Sequence, residues 1–118
     1  MYKIDTANVT IMVKDIQRSI DFYVDGLGLT LKQRWDDHYA LVSAPGVVIG
    51  LHPSKGQVTS AQGISIGFGI ATLADAEKRL KELQVSYDTT EDKAGNFASF
   101  TDPDGTPLYF MQSKVGDW

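Results

Sequence analysis

The sequence predicts an α+β fold made of two successive β-α-β-β-β units. Three observations predict it. Apolar alternation at period two is followed by apolar recurrence at helical spacing, that order returns in the second half of the 118 residues, and turn residues fall at matching places in both halves. A chain of this length with 42% hydrophobic residues can build one core without a disulfide or a structural metal. A single domain over residues 1–118 is therefore expected, with repeat one at about 5–53, a linker at about 54–62 and repeat two at about 63–113.

The first unit opens with Val9 to Val13, where Val9, Ile11 and Val13 share one face of a strand and Asn8, Thr10 and Met12 the other. Asp15 supplies an N-cap oxygen. Ile16, Ile20, Tyr23 and Leu27 then recur at helical spacing until Gly26 and Gly28 end the helix. Strands are predicted at Leu29–Trp35, His38–Ser43 and Val47–His52, separated by Asp36-Asp37 and Pro45-Gly46, both of which are turn chemistry.

The second unit opens with the alternating run from Gly63 to Ile70, whose large face is Ile64, Ile66, Phe68 and Ile70. Thr72 is the expected cap of a second helix, with Asp75 completing a weak capping box, and Leu73, Ala76, Leu80 and Leu83 form its buried stripe. Strands at Val85–Thr89, Phe97–Thr101 and Leu108–Gln112 complete the unit, with Asp102-Pro103-Asp104-Gly105 turning between the last two. The caps Asp15 and Thr72 and the turn glycines Gly46 and Gly105 are both separated by just under sixty positions, so the halves stay in register.

Composition narrows the function classes. The chain has no Cys, which excludes thiolate catalysis, disulfides and zinc-thiolate sites, and a cytoplasmic location is expected. No apolar run approaches a membrane span, so no membrane partner is expected. A formal charge of −4 with scattered Lys and Arg argues against nucleic acid.

The segment Val13-Lys-Asp-Ile-Gln-Arg-Ser-Ile-Asp-Phe-Tyr-Val-Asp-Gly-Leu-Gly-Leu29 resembles the opening of the glyoxalase, bleomycin-resistance and extradiol-dioxygenase superfamily, called vicinal oxygen chelate. Asp102-Pro-Asp-Gly-Thr-Pro-Leu-Tyr-Phe110 resembles its closing signature. The resemblance implies that each unit curls into a mixed sheet with helices on the convex face. It also implies that the concave sides meet as a cup for a metal or ligand, and that the protein is a homodimer. Alternation then places Val9, Ile11, Ile64, Ile66, Phe68, Leu108 and Phe110 under the helices. Asn8, Thr10, Met12, Val48, Gly50, His52, Ser65, Gly67, Gly69, Pro107, Tyr109 and Met111 face the cup.

Metal-dependent members of the family carry ligands at four cup positions, which by the same resemblance fall here on Asn8, Gly50, Ser65 and Tyr109. Amide, hydrogen, hydroxyl and phenol are neutral and poor donors for a divalent ion, so no first set of ligands survives. The cup residues also offer no carboxylate pair and no Ser-His-acid arrangement, and no catalytic residue is assigned.

The expected function is metal-free binding of a small organic molecule at Asn8, Thr10, Met12, Trp35, Gly50, His52, Ser65, Gly67, Tyr109 and Met111, with no cofactor. The mechanism is akin to antibiotic or toxin sequestration in the bleomycin-resistance branch. Gly50, Gly67 and Gly69 stand either for ligand space or for sheet curvature. Trp35, beside Asp36 and Asp37, is either a platform for a planar cation or a packing residue. Two other readings stay open. One is a metal-dependent glyoxalase-like lyase or dioxygenase with a site relocated to His38 and His52, and the other is a dimeric interaction module whose cup is vestigial.

Overall fold

The computed structural model describes residues 2–54, 56 and 63–115. Most of the linker expected at 54–62 and the terminal residues 116–118 lie outside the described residues. The chain divides into two compact units, Met1–Val58 and Thr59–Trp118.

The first unit runs β1 (Val9–Val13), α1 (Ile16–Ile20), a π-helical turn (Asp21–Gly26), β2 (Thr30–Trp35), β3 (Tyr39–Ala44) and β4 (Val47–Pro53). Its sheet has the order β1-β4-β3-β2, with β1 parallel to β4 and the other pairs antiparallel. Asp15 starts α1 as expected, its carboxylate accepting the Arg18 N–H at 3.0 Å. The helix then widens, because the Leu27 N–H reaches back five residues to the Phe22 carbonyl at 2.9 Å. That wide turn leaves Tyr23 fully buried, with the Phe22 ring edge-on against it at 5.4 Å. Val13, Ala40, Val42, Ile49 and Leu51 alternate onto the face that packs under α1, and all are 0% exposed. Burying a large aliphatic side chain this fully contributes about 1.5–3 kcal/mol.

The second unit repeats the order as β5 (Ile66–Gly69), α2 (Leu73–Glu82), β6 (Asp88–Glu91), β7 (Gly95–Thr101) and β8 (Pro107–Ser113). Its sheet has the order β5-β8-β7-β6, again with the first strand parallel to the last. Leu73, Ala76 and Leu80 of α2 pack over β7 and β8, and are buried along with Ile66, Phe68, Ala98, Phe100, Leu108 and Phe110. Phe100 stacks on Phe110 at 5.3 Å. The turn before β8 is tied by Asp102. Its carboxylate, 4% exposed, accepts the N–H groups of Asp104 at 2.9 Å and Thr106 at 2.8 Å, and Gly105 takes the φ of +89° that this reversal demands.

Several details depart from the sequence expectation, and Val9, placed under the helices by alternation, is 41% exposed on the edge strand β1. Parallel pairing of β5 begins at Ile66 opposite Leu108, because β8 itself starts only at Pro107. Ile64 and Ser65 therefore precede the strand, and Ile64 is 61% exposed instead of lying under the helix. Val85 does not start a strand, since its N–H closes the end of α2 on the Leu80 carbonyl at 2.9 Å. Gln84, at φ +59°, occupies the left-handed place of that helix stop, where glycine is usual. Thr72 makes no side-chain cap bond, and Gln112 of β8 supplies the acceptor, its Oε1 taking the Leu73 N–H at 2.7 Å. Among the described residues no helix is long and apolar enough to cross a membrane.

Candidate functional site

In the first unit, strand pairing sets residues in rows across the face turned away from α1. Met12 pairs with His52 and Tyr39 with Trp35, and the adjacent pairing of Ala40 with Leu51 brings Tyr39 beside His52. The result is one row of Met12, His52, Tyr39 and Trp35 across four strands. The rings follow one another at 5.6 Å from Trp35 to Tyr39 and 6.0 Å from Tyr39 to His52. Trp35 is 44% exposed and Met12 49%, so an apolar ledge remains open to solvent.

Beside this row Asn8, Thr10 and Tyr39 form a hydrogen-bonded cluster. Asn8 Nδ2 donates to Thr10 Oγ1 at 3.3 Å and to Tyr39 Oη at 3.1 Å, and the two hydroxyls share a bond at 3.0 Å. Asn8 spends both amide hydrogens, one hydroxyl hydrogen lies between Thr10 and Tyr39, and the second hydroxyl hydrogen is left pointing to a partner outside the cluster. The cluster borders a hollow of about 250 Å³ lined by Thr6, Ala7, Asn8, Lys32, Tyr39, Leu41 and Val48.

Tyr39 and Lys32 were not legible as site residues. On β3, Tyr39 and Leu41 alternate with the buried Ala40 and Val42, and the sequence run from His38 to Ser43 carries no polar alternation that marks either face. Lys32 is the extra residue of a bulge between Leu31, opposite Val42, and Gln33, opposite Leu41. Simple alternation counted back from Trp35 puts it on the wrong face, and the bulge brings it to the hollow.

The glycines divide. A Cβ on Gly50 would overlap the Tyr39 hydroxyl, and one on Gly67 the Tyr109 ring, so the protein's own tyrosines use that space. Of Gly50, Gly67 and Gly69, Gly69 alone has nothing within 4 Å of an added Cβ. In the second unit Tyr109 also meets Phe97 at 6.0 Å, Ser65 is exposed ahead of β5, and Met111 is 4% exposed. Met111 is thus buried and is not part of an open wall.

Two of the charged neighbours of Trp35, Arg34 and Asp37, engage each other. Arg34 donates to the Asp37 carboxylate at 2.8 Å, to the Asp36 carbonyl at 2.8 Å and to Gln17 of the preceding helical segment at 2.6 Å. Asp37 is therefore already neutralised by a guanidinium and is a poor counter-ion for a ligand stacked on Trp35.

The donor set does not fit a divalent metal. Asn8 spends its amide on two hydroxyls, Gly50 has no side chain and lies under Tyr39, Ser65 is outside the strand and Tyr109 lies against Gly67. His38 sits in the β2–β3 turn, its N–H on the Trp35 carbonyl, away from the strand positions. His52 Nδ1 lies 3.0 Å from the Pro53 carbonyl, which can only accept, so that nitrogen carries the hydrogen. Among the described residues no three His, Asp or Glu side chains converge.

Residues 4–110 match the model of the Glyoxalase/Bleomycin resistance protein/Dioxygenase superfamily. Among solved structures, the chain is similar to the fosfomycin resistance protein FosX of Listeria monocytogenes at TM-score 0.80 and 15% identity, covering 97% of each chain. It is similar to a glyoxylase/bleomycin resistance protein/dioxygenase domain of Frankia sp. EAN1pec at TM-score 0.75 and 22% identity, covering 98% of this chain and 96% of that one. A glyoxalase family protein of Enterococcus faecalis gives TM-score 0.75 and 20% identity over 94% and 99%. No curated protein is similar enough to count as a match.

Proposed function

The chain belongs to the glyoxalase, bleomycin resistance protein and dioxygenase superfamily, and from that membership we propose that it binds a small aromatic molecule on the open face of its first sheet, without metal chemistry. The row of Met12, His52, Tyr39 and Trp35 carries this reading. It offers a ring-sized apolar ledge next to a cluster with a directed hydroxyl donor, which is the combination that small-molecule sites use for affinity and orientation respectively. With neutral groups at the family's ligand positions, holding the molecule is the work left to the site. Sequestration of an antibiotic or toxin is the biological form such binding would take.

The test uses a Trp118→Phe variant, which leaves Trp35 as the sole tryptophan of the two in the chain. Titration with a broad panel of one- and two-ring aromatic compounds should give saturable quenching of Trp35 emission for at least one class. Calorimetry on Trp35→Ala should then show affinity falling at least tenfold. A panel without saturable binding, or binding indifferent to Trp35, would sink the reading.

A further inference from the structure

We infer that the ligand carries an anionic oxygen group, a carboxylate in its simplest form, which enters the hollow beside Tyr39 while its ring lies on the Trp35–Tyr39 ledge. This rests on the ledge being the binding surface, and it adds the chemical class of the ligand.

The sign of charge in the hollow is the first observation. Among the described residues that line it, Lys32 alone is charged, although the chain as a whole carries −4. The Lys32 ammonium has no hydrogen-bond or ion-pair partner among the described residues, unlike Arg34, Arg79 and Lys114, each of which holds a carboxylate. The bulge at Lys32 interrupts the alternation of an edge strand and turns a cation onto the face that carries the site. Bulges are over-represented at sheet edges and beside functional sites, where they re-aim a side chain.

The second observation is the donor balance of the cluster. Whichever way the Thr10–Tyr39 hydrogen points, one hydroxyl hydrogen is left over, and the oxygen bearing it already accepts two bonds. Such a group can donate outward but has no lone pair left to accept, and donation to it from Asn8 and its neighbour strengthens it as a donor. Lys32 has three N–H donors and no acceptor. Both groups therefore call for an acceptor, and an anionic one best. The third observation bears on the opposite choice: of the two acidic neighbours of Trp35, Asp37 is paired with Arg34, which lowers the negative charge open to a cation on that side.

Three probes of one shape separate the possibilities: 2-naphthoate, neutral 2-naphthamide and cationic 2-naphthylmethylamine, titrated by calorimetry at low salt. We expect 2-naphthoate to bind at least tenfold tighter than the amide, with the amine weakest and with the preference shrinking as salt rises. Lys32→Met should abolish the preference for naphthoate over the amide, and Tyr39→Phe should weaken naphthoate several-fold with the ledge ring retained. Equal affinity for all three probes, or a preference that survives in Lys32→Met, overturns the anionic assignment and leaves the ledge intact. If no probe binds while the broader panel also fails, the ledge reading itself is at fault. An arm with 2-naphthylphosphonate tells a carboxylate site from one that takes any oxyanion. Retention of the far-UV spectrum and melting profile shows that each variant is folded.

Discussion

Gln112 Oε1 accepts the Leu73 N–H at 2.7 Å, so the first turn of α2 is closed by the last strand of its own unit. This bond ties helix to sheet as well as satisfying an orphan donor. Thr72, in the cap position with extended φ and ψ, makes no such bond. Gln112→Ala is accordingly expected to destabilise the protein by about 1 kcal/mol and Thr72→Ala by less than about 0.5 kcal/mol. Urea unfolding of the two variants checks this, and the reverse order would restore Thr72 as the cap.

Three strand glycines should respond unequally to alanine. A Cβ on Gly95 would overlap the Gln112 carbonyl oxygen and stand 3.2 Å from its carbon, and backbone inside a strand ladder cannot give way. On Gly50 the obstacles are side-chain ends, Tyr39 and Thr10, while Gly69 has open space above it. The expected costs are about 2–3 kcal/mol or more for Gly95→Ala, about 1 kcal/mol for Gly50→Ala and under about 0.5 kcal/mol for Gly69→Ala. Gly50→Ala carries a second effect, because displacing the Tyr39 hydroxyl dissolves the cluster with Asn8 and should lower ligand affinity. Thermal melts of the set, with calorimetry on the second, measure both.

Ser19 is fully buried in α1, and its Oγ has no hydrogen-bond partner among the described residues. An unpaired buried hydroxyl costs about 1–3 kcal/mol in desolvation, and alanine is the better helix former. Ser19→Ala should raise stability by about 1 kcal/mol, seen as a higher urea midpoint at unchanged slope. A lower midpoint would mean the hydroxyl has a partner in solution.

Much of the architecture was legible because local chemistry and tertiary packing agree. Asp15 caps where its carboxylate can reach Arg18, and the Asp102 turn closes as its Pro-Asp-Gly sequence demands. Alternation read correctly through Ile66, Phe68, Leu108 and Phe110, which lie where one face is buried. It failed where that rule lapses. The bulge at Lys32 resets the phase of β2, and no pattern in an exposed edge strand announces such a shift. Ile64 looked like core because it continues the alternation of Ile66 and Phe68, yet it has no opposite residue on β8. The glycines at 50 and 67 suggested room, and the tyrosines that fill it come from residues that propensity alone does not connect to them.

In both units the opening strand lies alongside the closing one, Val9 beside Ile49 and Ile66 beside Leu108. Each such pairing closes a loop of some forty residues, so the hairpins within the loop can form locally and early while the first strand waits. During synthesis, N to C, the first strand of each half emerges with its only sheet partner not yet made, and its apolar edge stays unprotected until the ribosome has delivered nearly the entire half. Assembly thus proceeds in two instalments, each sealed by its own final strand.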